Sequence, residues 1–228
     1  MRRKQSNWKY LLENLQPDIA LLQESAIIED KSIKSCVTEV TVKKNFRNSI
    51  YVKAHHAEPI LMPSDHGLGL NVVRVTTNDK EQIYFVSVYG NLSLKPWFIH
   101  MAGAISLCIQ VLKSKYKAEN IVIAGDFNAD RRMDENPTGT KFAKIGETPC
   151  NDLFNCILGL GFKDCMVDFY PDYIQTHRHN RSSYPWQIDQ IFATPKIFQQ
   201  LISMNVESSE EMALLSDHNP IIAEFGTD

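Results

Sequence analysis

The chain has 228 residues, 43% of them hydrophobic and 22% charged, the balance of one globular domain over residues 1–228 and not of a disordered segment. Lys and Arg number 24 against 27 Asp and Glu, a formal charge of −3, which excludes a protein that coats nucleic acid by global charge but leaves room for a locally basic site. No apolar run reads as a bilayer span: the longest, Met101 to Leu112, carries Gly103, Ser106 and Gln110 and reads as an amphipathic helix.

Trp8, Leu11, Leu12 and Leu15 recur at helical spacing and predict a short opening helix that stops before Pro17. Asp18 to Leu22 is an apolar burst of strand length that runs into Gln23-Glu24-Ser25. Strands are expected at Cys36–Val42, Asn48–Lys53, Gly69–Val75 and Gln82–Tyr89, with Pro and Gly in several of the loops between them. Trp97–Lys115 reads as a long helix, Ile121–Ala124 as a short apolar strand, and Asp152–Leu158 as a helix ended by Gly159. Later strands are expected at Tyr173–Thr176, Gln187–Ala193, Met204–Val206 and Pro220–Phe225. Many short strands with few helices between them suggest layered sheets flanked by helices; a doubly wound parallel sheet would alternate more regularly.

The five cysteines form no CxxC pair, so free, mostly buried thiols are expected in place of a disulfide framework or a zinc site. The N-terminus, MRRKQSNWKY, has no apolar stretch behind it and does not read as a signal peptide. A cytoplasmic protein is the expectation.

Four apolar strands end, or nearly end, in acidic or amide side chains: Gln23-Glu24, Gly125-Asp126-Phe127-Asn128, Gln187-Ile188-Asp189, and Ser216-Asp217-His218-Asn219 before the last strand. An Asp among apolar neighbours is costly to bury unless it is paired, hydrogen-bonded or metal-bound. In the second motif the Gly permits a tight turn and sets Asp and Asn side by side. A second copy of Ser-Asp-His, at Ser64–His66, precedes a Gly-rich stretch and reads as a loop. Should the strand ends converge, Glu24, Asp126, Asp189 and Asp217 form an acidic cup with Asn128 and His218. Hard oxygen ligands of that kind suit Mg²⁺ or Mn²⁺ shared with substrate phosphate.

In that order the stretches PDIALLQES, YFVSVYGN, IVIAGDFNAD, WQIDQIFAT and LSDHNPIIAEF resemble the endonuclease/exonuclease/phosphatase superfamily from about Asp18 to Phe225. That superfamily includes deoxyribonuclease I, abasic-site endonucleases, neutral sphingomyelinases and inositol polyphosphate phosphatases, and the spacing HRHNRSSYPWQIDQIF looks most like a bacterial branch of it. The resemblance implies an α+β fold, a four-layer α/β/β/α sandwich of two mixed sheets with helices on both outer faces. It also implies a metal-dependent phosphoester hydrolase site at one end.

Position by position, the resemblance makes Glu24 a metal ligand and Asp217 a second one. Asp126 would position or deprotonate the attacking water, and Asn128 would hold that water or a phosphate oxygen. His218, oriented by Asp189, would meet the scissile phosphate or transfer a proton, and Tyr89 occupies the place of a tyrosine that contacts phosphate. The basic cluster His177, Arg178, His179 and Arg181, with Asn180 among them, is expected beside Asp189, where His177, Arg178 and Asn180 would grip substrate phosphates. Arg131 and Arg132 could reach the same cleft; Tyr184 and Trp186 could stack on a base or pack against the core.

One departure stands out. Superfamily members begin with a core strand ending in an Asn that helps bind metal and phosphate; this chain starts at the loop after it, so an N-terminally truncated fold with open strand edges is expected. The expected function is divalent-metal-dependent hydrolysis of phosphodiesters, most simply by a nuclease on DNA or RNA, with no obligate protein partner. The alternatives are a phosphatase or phospholipase acting on an inositol phosphate or lipid headgroup, or a catalytically impaired binding scaffold.

Overall fold

Alternating apolar residues build strands on a computed structural model that describes residues 5–26, 28, 31–34, 36–43, 46–53, 56–62, 69–93, 96–135, 147–180 and 182–226. Helix α1 (Gln5–Tyr10) passes into a π-helical turn at Leu11–Leu15, which stops where Gln16 turns left-handed at φ +47°. There follow β1 (Ile19–Ser25), α2 (Lys31–Lys34), β2 (Val37–Lys43), β3 (Phe46–Val52), β4 (His56–Pro59), β5 (Asn71–Thr76) and β6 (Gln82–Tyr89). The middle of the chain holds α3 (Trp97–Lys115), β7 (Asn120–Asp126) and α4 (Pro149–Gly159). The rest is β8 (Lys163–Asp164), α5 (Cys165–Phe169), β9 (Asp189–Ala193), α6 (Pro195–Gln199), β10 (Leu201–Val206), α7 (Glu210–Leu215) and β11 (Ile221–Phe225).

One sheet has six strands in the order β4-β5-β6-β7-β9-β8, mixed because β6 and β7 run parallel while their neighbours are antiparallel. On its outer face Tyr84, Val86, Ile121, Ile123 and Phe192 bury against α3 and α4, with Ile105, Ile109, Leu112, Phe154 and Ile157 in the same cluster. Its inner face, carrying Val73, Val75 and Val122, packs on Ile50 and Val52 of β3 and on Leu21 of β1. The far side of the β1–β3 pair is covered by Trp8 and Leu11 of the opening helix, which meet Ala20, Leu22 and Tyr51. The result is the four-layer α/β/β/α sandwich implied by the resemblance.

The second layer is in two pieces, β1-β3-β2 and β10-β11, and among the described residues no ladder joins β1 to β11. Each therefore keeps one open edge. Along β11 no residue is fully buried, and Ile222 is 39% exposed.

Three sequence expectations need correction. Tyr173–Thr176 is not a strand: Tyr173 has φ +64°, and the pairing begins only with an isolated bridge between His177 and Trp186. The 19-residue α3 is in fact long and apolar enough by composition to cross a membrane, but Trp97, Met101, Ile105, Cys108, Ile109 and Leu112 are buried in the core beneath it. The short elements α2, β4, α5, α6 and α7 gave no periodic signal, being too brief to show one. Ser64–His66 and Arg181 lie outside the described residues.

Candidate active site

Alternation along β6 and β7 decides which side chains reach the end of the sandwich. Tyr84, Val86 and Val88 point to the helices, so Ser87 and Tyr89 point between the sheets, and on β7 Val122, Ala124 and Asp126 do the same. The register sets Tyr89 opposite Asp126, and Asp126 opposite Asp189. Three of the expected site residues thus stand in one row across β6, β7 and β9.

Glu24 comes to this row from the other sheet. The β1–β3 register shifts between Leu22 and Ser25, a bulge that holds Glu24 at φ +50°. A left-handed backbone costs a side-chain-bearing residue roughly 1–2 kcal/mol, and here the strain re-aims a carboxylate. Tyr89 Oη donates to Glu24 Oε1 at 2.7 Å. The tyrosine hydroxyl is thereby tied to the Glu24 carboxylate.

After β7 the chain turns tightly on Asn128, at φ +51°. The Asn128 amide N–H donates to Asp126 Oδ1 at 2.8 Å, and its Nδ2 donates to Gly90 O at 2.8 Å and Asp126 Oδ2 at 3.2 Å. Gly90 N–H donates to Asp126 O at 2.7 Å, so close that a Cβ on Gly90 would overlap the Phe127 carbonyl. Asp126 and Asn128 are locked side by side.

His218 Nδ1 lies 2.9 Å from Asp189 Oδ2. Burial works against a charge on His218, but Asp189, by charge and hydrogen bond, and then Asp126 more than reverse it, up to about 9. Asp126 is pushed up to about 7, first by burial; His218 opposes this, Asp189 and Glu24 add to it, and the Asn128 N–H opposes it. His177 bridges Trp186 and His218, its ring centroid 4.6 Å from that of His218. Burial and then the His218 charge lower it to about 4, against the pull of Asp217 and Asp189. A charged and a neutral histidine lie in contact, their ring planes tilted by 46°.

The remaining expected residues are placed less centrally. Arg178 is bound within the fold, its N–H donating to Asp217 O at 2.7 Å and Nη2 to Ser216 O at 2.5 Å. Asp217 is half-buried next to it, and Asn180 is exposed on the loop beyond. Arg132 is held by buried Asp130, with Nη2–Oδ2 at 2.5 Å, and stacks over Tyr173 and Tyr184. Arg131 pairs with Asp164 at 3.4 Å. Trp186 is buried in the α3–α4 cluster, where it packs against Tyr184.

Two residues that organise the site escaped the sequence reading. Thr176 is fully buried; its Oγ1 accepts N–H bonds from Ile188 and Asp189, both at 3.1 Å, and its carbonyl accepts from Asn219 N–H at 2.7 Å. It therefore braces Asp189 and the loop of His218 at once. Asp130, fully buried, accepts from Gln187 N–H at 2.8 Å and so ties the turn after β7 to the approach of β9. The GDFNAD stretch offered a signal for Asp130, a second acid two residues beyond Asn128; Thr176 had none.

Among the described residues no three His, Cys, Asp or Glu side chains converge on one point, so the acidic cup is not a cage. The oxygen groups of the site are Glu24 with the Tyr89 hydroxyl on it, and Asp126 and Asp189 opposite each other in register. Asp189 and Glu24 both raise Asp126, an excess of negative charge that a cation would relieve. A sparse oxygen set fits Mg²⁺, which keeps several waters and takes one or two carboxylates beside phosphate oxygens.

The fold has known counterparts. The family model described as endonuclease-reverse transcriptase matches residues 83–222, more than half of the chain, and the chain belongs to that family, within the deoxyribonuclease I-like endonuclease/exonuclease/phosphatase superfamily. Among solved structures it is similar to a 3′ phosphatase, NExo, from Neisseria bound to a product DNA hairpin, at 20% identity over 97% of this chain and 94% of that one, TM-score 0.71. An AP endonuclease from Archaeoglobus fulgidus matches at 18% identity over 95% and 91%, TM-score 0.68. The endonuclease domain of TRAS1, a telomere-specific non-LTR retrotransposon, matches at 17% over 96% and 90%, TM-score 0.62. No curated protein matches.

Proposed function

We propose that the chain is a divalent-metal-dependent hydrolase of phosphodiester bonds that acts on nucleic acid. The observation behind this reading is the row Tyr89–Asp126–Asp189, closed by His218 on one side and Glu24 on the other. In-line displacement at phosphorus needs a held water, charge neutralisation on the phosphate oxygens and a proton source. Asp126, raised toward neutral pH, is suited to hold the water and take its proton, and the Asn128 carboxamide, pinned across Asp126 and Gly90, fixes the direction of approach. His218 is charged at neutral pH and can donate to a phosphate oxygen, with Asp189 fixing its ring. Glu24, beside Tyr89, would hold Mg²⁺ or Mn²⁺, which when bound would neutralise charge on the phosphate. His177, Arg178 and Asn180 border the His218 side, and their contact with substrate phosphates belongs to the same proposal. Membership of an endonuclease family and likeness to DNA-bound and abasic-site enzymes support nucleic acid over inositol phosphate or lipid headgroup.

The test is a substrate panel with Mg²⁺ or Mn²⁺ and an EDTA control: single-stranded, duplex and abasic DNA, RNA, 3′-phosphorylated DNA, an inositol polyphosphate and sphingomyelin. Chain cleavage of a nucleic acid, lost with EDTA, is expected. Removal of a terminal 3′-phosphate alone would favour a phosphatase, as in the Neisseria protein. Turnover confined to inositol phosphate or lipid would overturn the proposal.

A further inference from the structure

Gln23, the first half of the Gln-Glu pair, has no place in the chemistry above, yet it is tightly held. Its Nε2 donates to Ser87 Oγ at 2.8 Å. Ser87 Oγ in turn donates to Asn48 Oδ1 at 2.6 Å, and Asn48 Nδ2 returns to Ser87 O at 2.9 Å. Ser87 and Asn48 are both fully buried. The same Gln23 nitrogen lies above Gly125, at φ +140°, where a Cβ would come within 2.8 Å of it and overlap the Val88 carbonyl. The Gln of one motif thus rests on the Gly of the other.

Strand β1 belongs to one sheet, β6 and β7 to the other. Apolar contacts such as those of Leu21 hold the sheets together but are non-directional, and leave their sliding register loosely set. A buried hydrogen bond is directional and costs free energy when broken, so it fixes register where packing does not. Gln23 makes that bond one residue before Glu24; Ser25, one residue after, is tied into its own sheet by Ser49 Oγ at 2.6 Å. The strained Glu24 is clamped on both sides.

We propose that Gln23 is a positioning residue: through Ser87 and over Gly125 it fixes β1 against β6 and β7, so that the Glu24 carboxylate stays beside Tyr89 and Asp126 where a divalent cation would need it. This rests on the metal reading of Glu24. Gln23→Met keeps the length and removes the donor; Ser87→Ala removes the acceptor. Mn²⁺ affinity, followed by titration calorimetry, is the readout. Each variant is expected to weaken Mn²⁺ about tenfold, the scale of lost outer partners at metal sites. The double variant should weaken it no further than either single one. Turnover should recover toward wild type at saturating Mn²⁺, which damage to the chemistry itself would not allow. Unchanged Mn²⁺ affinity in folded Gln23→Met, or effects that multiply in the double variant, would overturn the proposal. Should Ser87→Ala fail to fold with Asn48 Oδ1 left unsatisfied, Gln23→Met decides alone. Glu24→Gln separates the two readings. Mn²⁺ binding indifferent to Glu24→Gln sinks the metal role itself, whereas binding lost there but kept in Gln23→Met sinks only the positioning role.

Discussion

His218 holds its charge against burial because Asp189 and Asp126 face it, and removing one of them should reverse the balance. Asp189→Asn leaves the burial but not the ion pair, so the His218 titration followed by NMR should fall from about 9 to or below its ordinary 6.5. Turnover should fall about 10²- to 10⁴-fold, the usual worth of a positioned proton donor. A titration unmoved by the substitution would contradict the pairing. Linkage gives the same group a second readout. The folded-state value lies above the unfolded one, so this contribution to stability is complete below about 6.5 and is lost as pH rises through about 9. Denaturant unfolding should show that decline in the wild type and much less of it in Asp189→Asn. Catalysis follows a different window. Asp126 must be ionised and His218 charged, so activity should be bell-shaped in pH; a cation beside Glu24 favours the Asp126 carboxylate, so the acid limb should lie below the metal-free value of about 7.

At the scale of elements, the site depends on a stretch without regular structure. Residues 174–177 pass between the approach to β9 and the loop of His218, and Thr176 bonds to both. Thr176→Val keeps the shape but strands the Ile188 and Asp189 N–H groups, at a cost of about 1–3 kcal/mol in urea unfolding together with reduced turnover. Thr176→Ser keeps the hydroxyl and should recover most of both; equal losses in Val and Ser variants would point to packing instead. Here the limits of sequence reading are physical. Strand ends carrying Glu24, Asp126, Asp189 and His218 were legible because acids beside apolar runs need a reason to be there. That Tyr89 reaches Glu24 follows from a bulge in β1, and that Thr176 reaches Asp189 from a contact across 13 residues, neither of which any local pattern encodes. Long α3 and apolar β7 announced themselves by period and composition, while the five-residue helices α5 and α6 are set by packing against β9 and its neighbours.

For the whole molecule, the layered order of elements was legible from the superfamily resemblance, while the division of the second layer into β1-β3-β2 and β10-β11 is a finding of the structure among its described residues. β11 pairs only with β10 among the described residues, and Ile202 and Ile222 stand 62% and 39% exposed on that two-stranded piece. Open, apolar edges template association with other strands. Ile222→Lys, a change outside the residues of the Asp126 row, should lower concentration-dependent association in light scattering while leaving turnover in place; no change in association would mean that this edge is already covered. The sandwich itself serves to bring Glu24 from one sheet to Asp126 of the other. The most direct test of the enzyme so assembled is hydrolysis of bis(p-nitrophenyl) phosphate with Mn²⁺ or Mg²⁺, wild type beside Asp126→Ala. Turnover that requires the metal and disappears in Asp126→Ala is the expected result; no turnover by folded wild type, or equal turnover by the variant, would contradict a phosphodiesterase built on Asp126.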